Sequence, residues 1–118
     1  METVLVIDDS PTDQHVISGF LKKNGLTVLL ASDGEQGIGI AREQAPDLIL
    51  MDVVMPGMNG FQATRRLNRD PRTQAIPVVI VSSKGEVTDK VWGMRQGAVG
   101  YLIKPVTEAD LMNAIRDL

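Results

Sequence analysis

Short apolar runs and longer stretches of helical period alternate along the chain. The runs are TVLVI (3–7), TVLLA (27–31), LILM (48–51), IPVVIV (76–81) and VGYLI (99–103). Most are β-branched and lack polar alternation, which predicts strands buried on both faces, as in a parallel sheet covered by helices. Helical periodicity follows each run, over residues 12–24, 35–44, 60–69, 87–96 and 107–118. Gly25, Gly97 and the Ala45-Pro46 pair punctuate helix ends, and Asn59 and Thr107 are placed to cap helix N-termini. Five β-α units with short links predict an α/β fold, a doubly wound five-stranded parallel sheet with five helices.

Composition narrows the class without naming a chemistry. The 118 residues are expected to form one domain over 1–118, large enough to bury a core. A net charge of −3 leaves no basic field for nucleic acid. Lys22 and Lys23, and Arg65, Arg66 and Arg69, read as solvated helix faces. The absence of cysteine excludes a disulfide framework and a thiolate zinc site, and agrees with a reducing cytoplasm. The N-terminal run Val4–Ile7 stops at two acids, so it is neither a signal peptide nor a membrane span.

Asp52 is the residue that strains this pattern, because it follows LILM directly and precedes more apolar text. A buried carboxylate is costly unless paired, hydrogen-bonded or bound to a metal. Doubly wound folds place their sites at the carboxyl ends of the strands. Those ends carry Asp8 and Asp9, then Asp52, Ser82, and Lys104-Pro105, while the second strand ends in an unremarked Ala31-Ser32. Singly, each has an ordinary use: Asp8 and Asp9 beside Ser10 and Pro11 can start a helix, Ser82 can cap the fourth helix, and Lys104 can be surface. Together they describe a reaction centre. Three carboxylates at one rim repel unless a cation sits among them. An all-oxygen set without His or Cys suits Mg²⁺, with Mn²⁺ as a substitute. Asp52 could then act as a nucleophile toward phosphorus, with Lys104 and Ser82 meeting the other phosphoryl oxygens.

The segments VLVIDDS, DLILMDVVMPGMNG, VVIVSSK and GYLIKP resemble the signature segments of response-regulator receiver domains, in order and along nearly the whole chain. The resemblance implies strand order 2-1-3-4-5 and a signalling module rather than an enzyme. It implies that Asp52 is the phosphoacceptor, that Asp9, Asp52 and the Val54 backbone carbonyl ligate Mg²⁺ directly, and that Asp8 acts mostly through water. Ser82 is similar to the family's switch hydroxyl, Lys104 to its lysine and Tyr101 to its switch aromatic, with Lys104-Pro105 cis. The implied donor is a histidine kinase or phosphotransfer domain, docking on helix 1 (Thr12, Gln14, His15, Ser18) and the Pro105-Val106 loop. The implied output is a changed face of helix 4, strand 5 and helix 5, offered to a protein target by a cytoplasmic monomer. GFQATRRL and TDKVWGMRQGAVGYLIKPV resemble single-domain regulators of chemotaxis-like pathways behind type IV pilus motility or phototaxis.

Other readings differ at specific residues. A receiver cut from a longer regulator with a DNA-binding or enzymatic output would share every motif. A haloacid dehalogenase-type phosphatase needs a second acid two residues past the nucleophile, where Val54 stands. GEQGIG has the look of a phosphate loop, yet Gly37 and Gly39 fall within a helix, where close packing or tolerance explains them better. His15, the only histidine, has no partner for a metal site. Trp92 fits the core and a partner surface equally.

Overall fold

Each strand of the sheet is bonded to parallel neighbours, so the apolar runs find both their hydrogen-bond partners and their cover within one layered unit. The computed structural model describes residues 1–118. In chain order the elements are β1 (Thr3–Ile7), α1 (Pro11–Lys23), β2 (Thr27–Ala31), α2 (Gly34–Gln44), β3 (Leu48–Met51), α3 (Gly60–Arg69), β4 (Val78–Ser82), α4 (Val87–Arg95), β5 (Gly100–Ile103) and α5 (Glu108–Arg116). The strands lie in the order β2-β1-β3-β4-β5. At the centre, Val4 of β1 faces Val28 of β2 and Leu48 of β3, and Ile7 faces Ala31 and Met51.

Strand alternation feeds two cores, which explains why the runs are apolar throughout. Leu5, Ile7, Ile49, Met51 and Ile80 pack with Ile38 of α2 and with Ala63 and Leu67 of α3. Their neighbours Val4, Val6, Leu48, Leu50, Val79 and Val81 pack on the opposite face with Ile17 and Leu21 of α1 and Leu111 of α5. Burial on both faces holds for β1, β3 and β4 but not for the edge strands, where Leu30 and Ile103 remain 43% and 38% exposed.

The ends shift slightly from the sequence pattern. β4 starts at Val78 because Pro77 has no N–H for the ladder, although its carbonyl still accepts from Ile49. β5 starts at Gly100 rather than Val99, and α5 stops at Arg116. Ser10 caps α1 with Pro11 in its first turn, Asn59 forms a capping box with Gln62 on α3, and Thr107 caps α5. Ser82 does not cap α4: that helix begins at Val87, with Glu86 at its N-cap. Gly25 and Gly97 end α1 and α4 at φ values of 81° and 109°, where other residues are strained. Ala45 ends α2 in the same region at φ 44°. The Lys104-Pro105 bond is cis.

The two glycines within α2 separate close packing from tolerance. A methyl group on Gly37 would lie 2.3 Å from Ile7 Cδ1, whereas one on Gly39 meets nothing within 4 Å. Gly37→Ala is therefore expected to destabilise the fold by about 1–3 kcal/mol through overpacking. Gly39→Ala is expected to stabilise it by about 0.5–1 kcal/mol through helix propensity. Urea unfolding of the two variants measures both signs.

Candidate functional site

The sheet ladder continues past the strand ends and pins the acidic residues there. Asp8 N–H donates to the Ala31 carbonyl at 3.0 Å, Asp52 N–H to the Ile7 carbonyl at 2.9 Å, and Lys104 N–H to the Ser82 carbonyl at 2.9 Å. The turn after Asp52 is held equally firmly, since Gly60 N–H donates to the Val53 carbonyl at 2.8 Å. A side chain on Gly60 would lie 1.9 Å from the Asp52 carbonyl oxygen, so only glycine lets α3 begin this close to the strand end. The Val54 carbonyl accepts none of the backbone hydrogen bonds, and its side chain is 57% exposed.

Carboxylate oxygens of Asp8, Asp9 and Asp52 all lie within 4.8 Å of one another. Asp8 and Asp52 are only 1% and 7% exposed, while Asp9 faces solvent. Like charges this close, with water largely excluded, need a counter-charge. The chain supplies one ammonium. Lys104 Nζ donates to Asp8 Oδ2 at 2.8 Å, Asp13 Oδ2 at 2.9 Å and Asp52 Oδ1 at 3.3 Å, which spends its three protons on three carboxylates. Asp8 is further committed, because its Oδ1 accepts from Ser10 N–H at 2.9 Å. Gln14 anchors the same strand end by donating to the Asp8 and Ala31 carbonyls.

One ammonium does not balance this cluster. Burial pushes the Asp52 carboxyl up to about 6, the Asp8 charge adds to the rise, and Lys104 offsets only part of it. Burial alone would lower the Lys104 ammonium, but the hydrogen bonds to Asp8 and Asp13 prevail and hold it above its ordinary range. The remaining excess of negative charge and the all-oxygen donor set fit a hard divalent cation of the Mg²⁺ kind.

The structure brings Ser82 to the same rim, fully buried, but turned to accept from Lys84 N–H at 3.1 Å. Tyr101 packs its ring against the α2/α3 core and donates its hydroxyl to the Lys84 carbonyl. Burial holds that phenol above its usual value. Asp52, unpaired within its own strand, has Lys104 as its side-chain partner. Asp13 escaped the sequence reading. The signal for it was position, since the first turn of a helix that begins just after β1 points back at the strand ends. Ser18 is buried, with no partner for its hydroxyl, and so is not part of an exposed helix 1 surface. His15 is exposed and isolated, and Trp92 is 48% exposed, which resolves it as surface rather than core.

Known proteins share this arrangement. A sequence model of the response regulator receiver domain matches residues 4–116. The chain is 53% identical over 115 residues to the protein PilH of Pseudomonas aeruginosa, covering 98% of this chain and 95% of that one. It is 37% identical to the DNA-binding dual master transcriptional regulator RpaA of Synechocystis, covering 100% of this chain but only 49% of that protein. The solved structure of the chemotaxis protein CheY4 of Vibrio cholerae superposes with a TM-score of 0.93 at 28% identity, covering 99% of this chain and 98% of that one. No helix is long and apolar enough to cross a membrane.

The Asp52 environment sets a pH dependence of stability. Its carboxyl is raised from 3.8 to about 6, so the folded chain keeps a proton that the unfolded chain releases. Stability therefore falls as pH rises across that window and stays lower above it. Without metal, Asp52→Asn is expected to be more stable than the parent at pH 7, by about 1–3 kcal/mol, and nearly equal near pH 4. Urea unfolding in a chelator at both pH values checks the sign.

Proposed function

The chain belongs to the response-regulator receiver family of two-component signalling, and on that footing we propose that Asp52 accepts a phosphoryl group from the phosphohistidine of a histidine kinase or phosphotransfer domain. The observation that carries this is the position of Asp52, buried at a strand end between two carboxylates and 3.3 Å from the Lys104 ammonium. Asp8 has one oxygen on Ser10 N–H and the other on Lys104, and Asp9 has no ammonium in reach. Asp52 alone combines burial, an ammonium and a carboxyl of raised basicity.

Asp9, Asp52 and the free Val54 carbonyl would hold Mg²⁺ or Mn²⁺, with Asp8 acting through water. When bound, the cation neutralises oxygens of the transferring phosphoryl group. The chain does the rest. An Asp52 carboxylate oxygen attacks phosphorus in line, the bond from phosphorus to the donor imidazole breaks, and that imidazole leaves with the electron pair. Lys104 exchanges one carboxylate contact for a phosphoryl oxygen. Ser82 Oγ–H rotates toward another, which releases Lys84 N–H. Tyr101 grips the carbonyl of that same residue, so the change reaches α4 and β5. Exposed Lys90, Met94 and the Tyr101 edge then present a different face to the target.

The donor would dock beside the site, on exposed Thr12 and His15 and the Pro105 loop. The identity to PilH, together with the motility-type text of α3, α4 and β5, supports an output in a taxis or pilus pathway. A second reading, a receiver that serves a longer DNA-binding regulator, is favoured by RpaA, of which this chain spans about half.

Asp52→Asn is expected to abolish Mg²⁺-dependent labelling by acetyl phosphate, read by phosphate-affinity electrophoresis. Labelling at the parent rate would overturn the phosphoacceptor assignment. The lifetime of the phosphoryl group is a separate outcome. Val54 presents an apolar side chain at the rim, unable to orient an attacking water. Val54→Asn is expected to speed loss of phosphate by about three- to tenfold, the effect of one oriented hydrogen bond. Decay of the labelled protein after removal of the donor measures it.

A further inference from the structure

Away from the acidic rim, Arg65, Asn68 and Arg69 of α3 face Trp92 and Arg95 of α4, and Gln96 at its C-cap, across a hollow of about 360 Å³. Each set occupies positions i, i+3 and i+4, so one face of each helix lines it. All six side chains end in polar groups, and none of them enters a hydrogen bond or ion pair within the chain. Other arginines behave differently: Arg42 and Arg72 pair with Asp70, and Arg66 pairs with Glu35.

This arrangement works against folding on its own. Acids outnumber bases in the chain, 15 to 12, yet three arginines collect here without a carboxylate. Arg65 and Arg69 are like charges one helical turn apart, which opposes their own helix. Gln96 is mostly covered, at 9% exposed, and its amide lines the hollow in reach of solvent, unpaired within the chain. Trp92 holds a large aromatic surface half in water. A second hollow of about 270 Å³ adjoins the first, sharing Arg65, Trp92 and Gln96 and lined also by Phe61.

We propose that this groove binds a nucleotide, with its phosphate on the arginines and its base stacked on Trp92 beside the Gln96 amide. Guanidinium forks only donate, and their geometry suits phosphate oxygens. An indole face stacks on any base, and an unpaired amide offers both a donor and an acceptor to a base edge. An acidic peptide would answer the arginines but not the indole and the unpaired amide together. Inorganic phosphate would use neither.

Trp92 is the only tryptophan, so its fluorescence reports directly on the groove. The intact chain is titrated with GTP, ATP, GMP, pyrophosphate and polyglutamate. A saturable quench at submillimolar concentration is expected with at least one nucleotide, weakening as salt rises. Arg65→Ala and Arg95→Ala should each weaken it roughly tenfold, Arg95→Lys should restore it only in part, and Lys22→Ala on α1 should leave it unchanged. Gln96→Leu should narrow the difference between guanine and adenine nucleotides. Circular dichroism confirms that each variant is folded. No quench by any nucleotide at millimolar concentration overturns the proposal. Equal affinity for pyrophosphate also overturns it, since the groove would then read an anion alone. Tighter binding of polyglutamate overturns it in favour of an acidic protein segment.

Discussion

The arrangement at the rim depends on one ammonium shared among more carboxylates than it can neutralise. Lys104 meets Asp8 at 2.8 Å and Asp13 at 2.9 Å but Asp52 at 3.3 Å, so the longest of its contacts goes to the residue that most needs it. The inequality has a chemical consequence. Asp8 is nearly solvent-free and its other oxygen is fixed by Ser10, so its hold on the lysine is the most permanent of the three. Asp13 is partly exposed, with a side chain 40% accessible, so solvent screens its hold. The contact to Asp13 is the one that can be surrendered at least cost when a new anion arrives at Asp52. A rim that was neutral at rest would have nothing to gain from a cation or from a rearranged lysine.

Much of this was legible in the sequence, because the same pattern that specifies the fold locates the site. Unbroken apolar runs require a parallel sheet with two covered faces, and a parallel sheet requires that everything chemical gather at one edge. Asp8, Asp9, Asp52, Ser82 and Lys104 therefore follow from strand ends alone. Three kinds of fact did not. Edge exposure on β2 and β5 depends on strand order, which Leu30 and Ile103 do not encode. The direction of Ser82 depends on a loop residue, Lys84, whose N–H and carbonyl are invisible in a pattern of side chains. Asp13 and Ser18 depend on helix phase, where an error of one residue turns a face from the sheet to the solvent. Side chains that act through position on an element are readable, and those that act through a particular backbone group are not.

Ser82 at the rim and Tyr101 on β5 both bond to the backbone of Lys84. Lys84 is exposed, yet its peptide units are held from both sides, the N–H by buried Ser82 and the carbonyl by Tyr101. Neither hydrogen bond is strong in net terms, about 0.5–1.5 kcal/mol each. In the proposed switch, a few new contacts to the Ser82 hydroxyl tip the balance between two loop arrangements. Of the residues of α4, Gly93 alone is fully covered, against Ile80 and Tyr101, so the helix is attached to the sheet along a narrow line. Val87 is 75% exposed, and Val91 and Met94 are nearly half exposed. α1, by contrast, sets Ile17 and Leu21 fully into the core on the opposite face of the sheet.

The two charge imbalances of the molecule have opposite signs and do not cancel each other. Carboxylates crowd the rim between β1 and β3 with a single cation, and arginines crowd the groove between α3 and α4 with no anion. Elsewhere on the surface the chain pairs Arg42 and Arg72 with Asp70. The pairing energy forgone is modest per site, but it is forgone repeatedly and with an unpaired amide and a half-exposed indole beside it. Net charge hides this, because −3 over 118 residues looks unremarkable. The informative quantity is the local excess: where like charges are held together by a rigid frame and no partner is supplied from within, the partner comes from outside. At the rim the excess of carboxylates suits a divalent cation, and in the groove the unpaired arginines beside Trp92 suit the nucleotide proposed above.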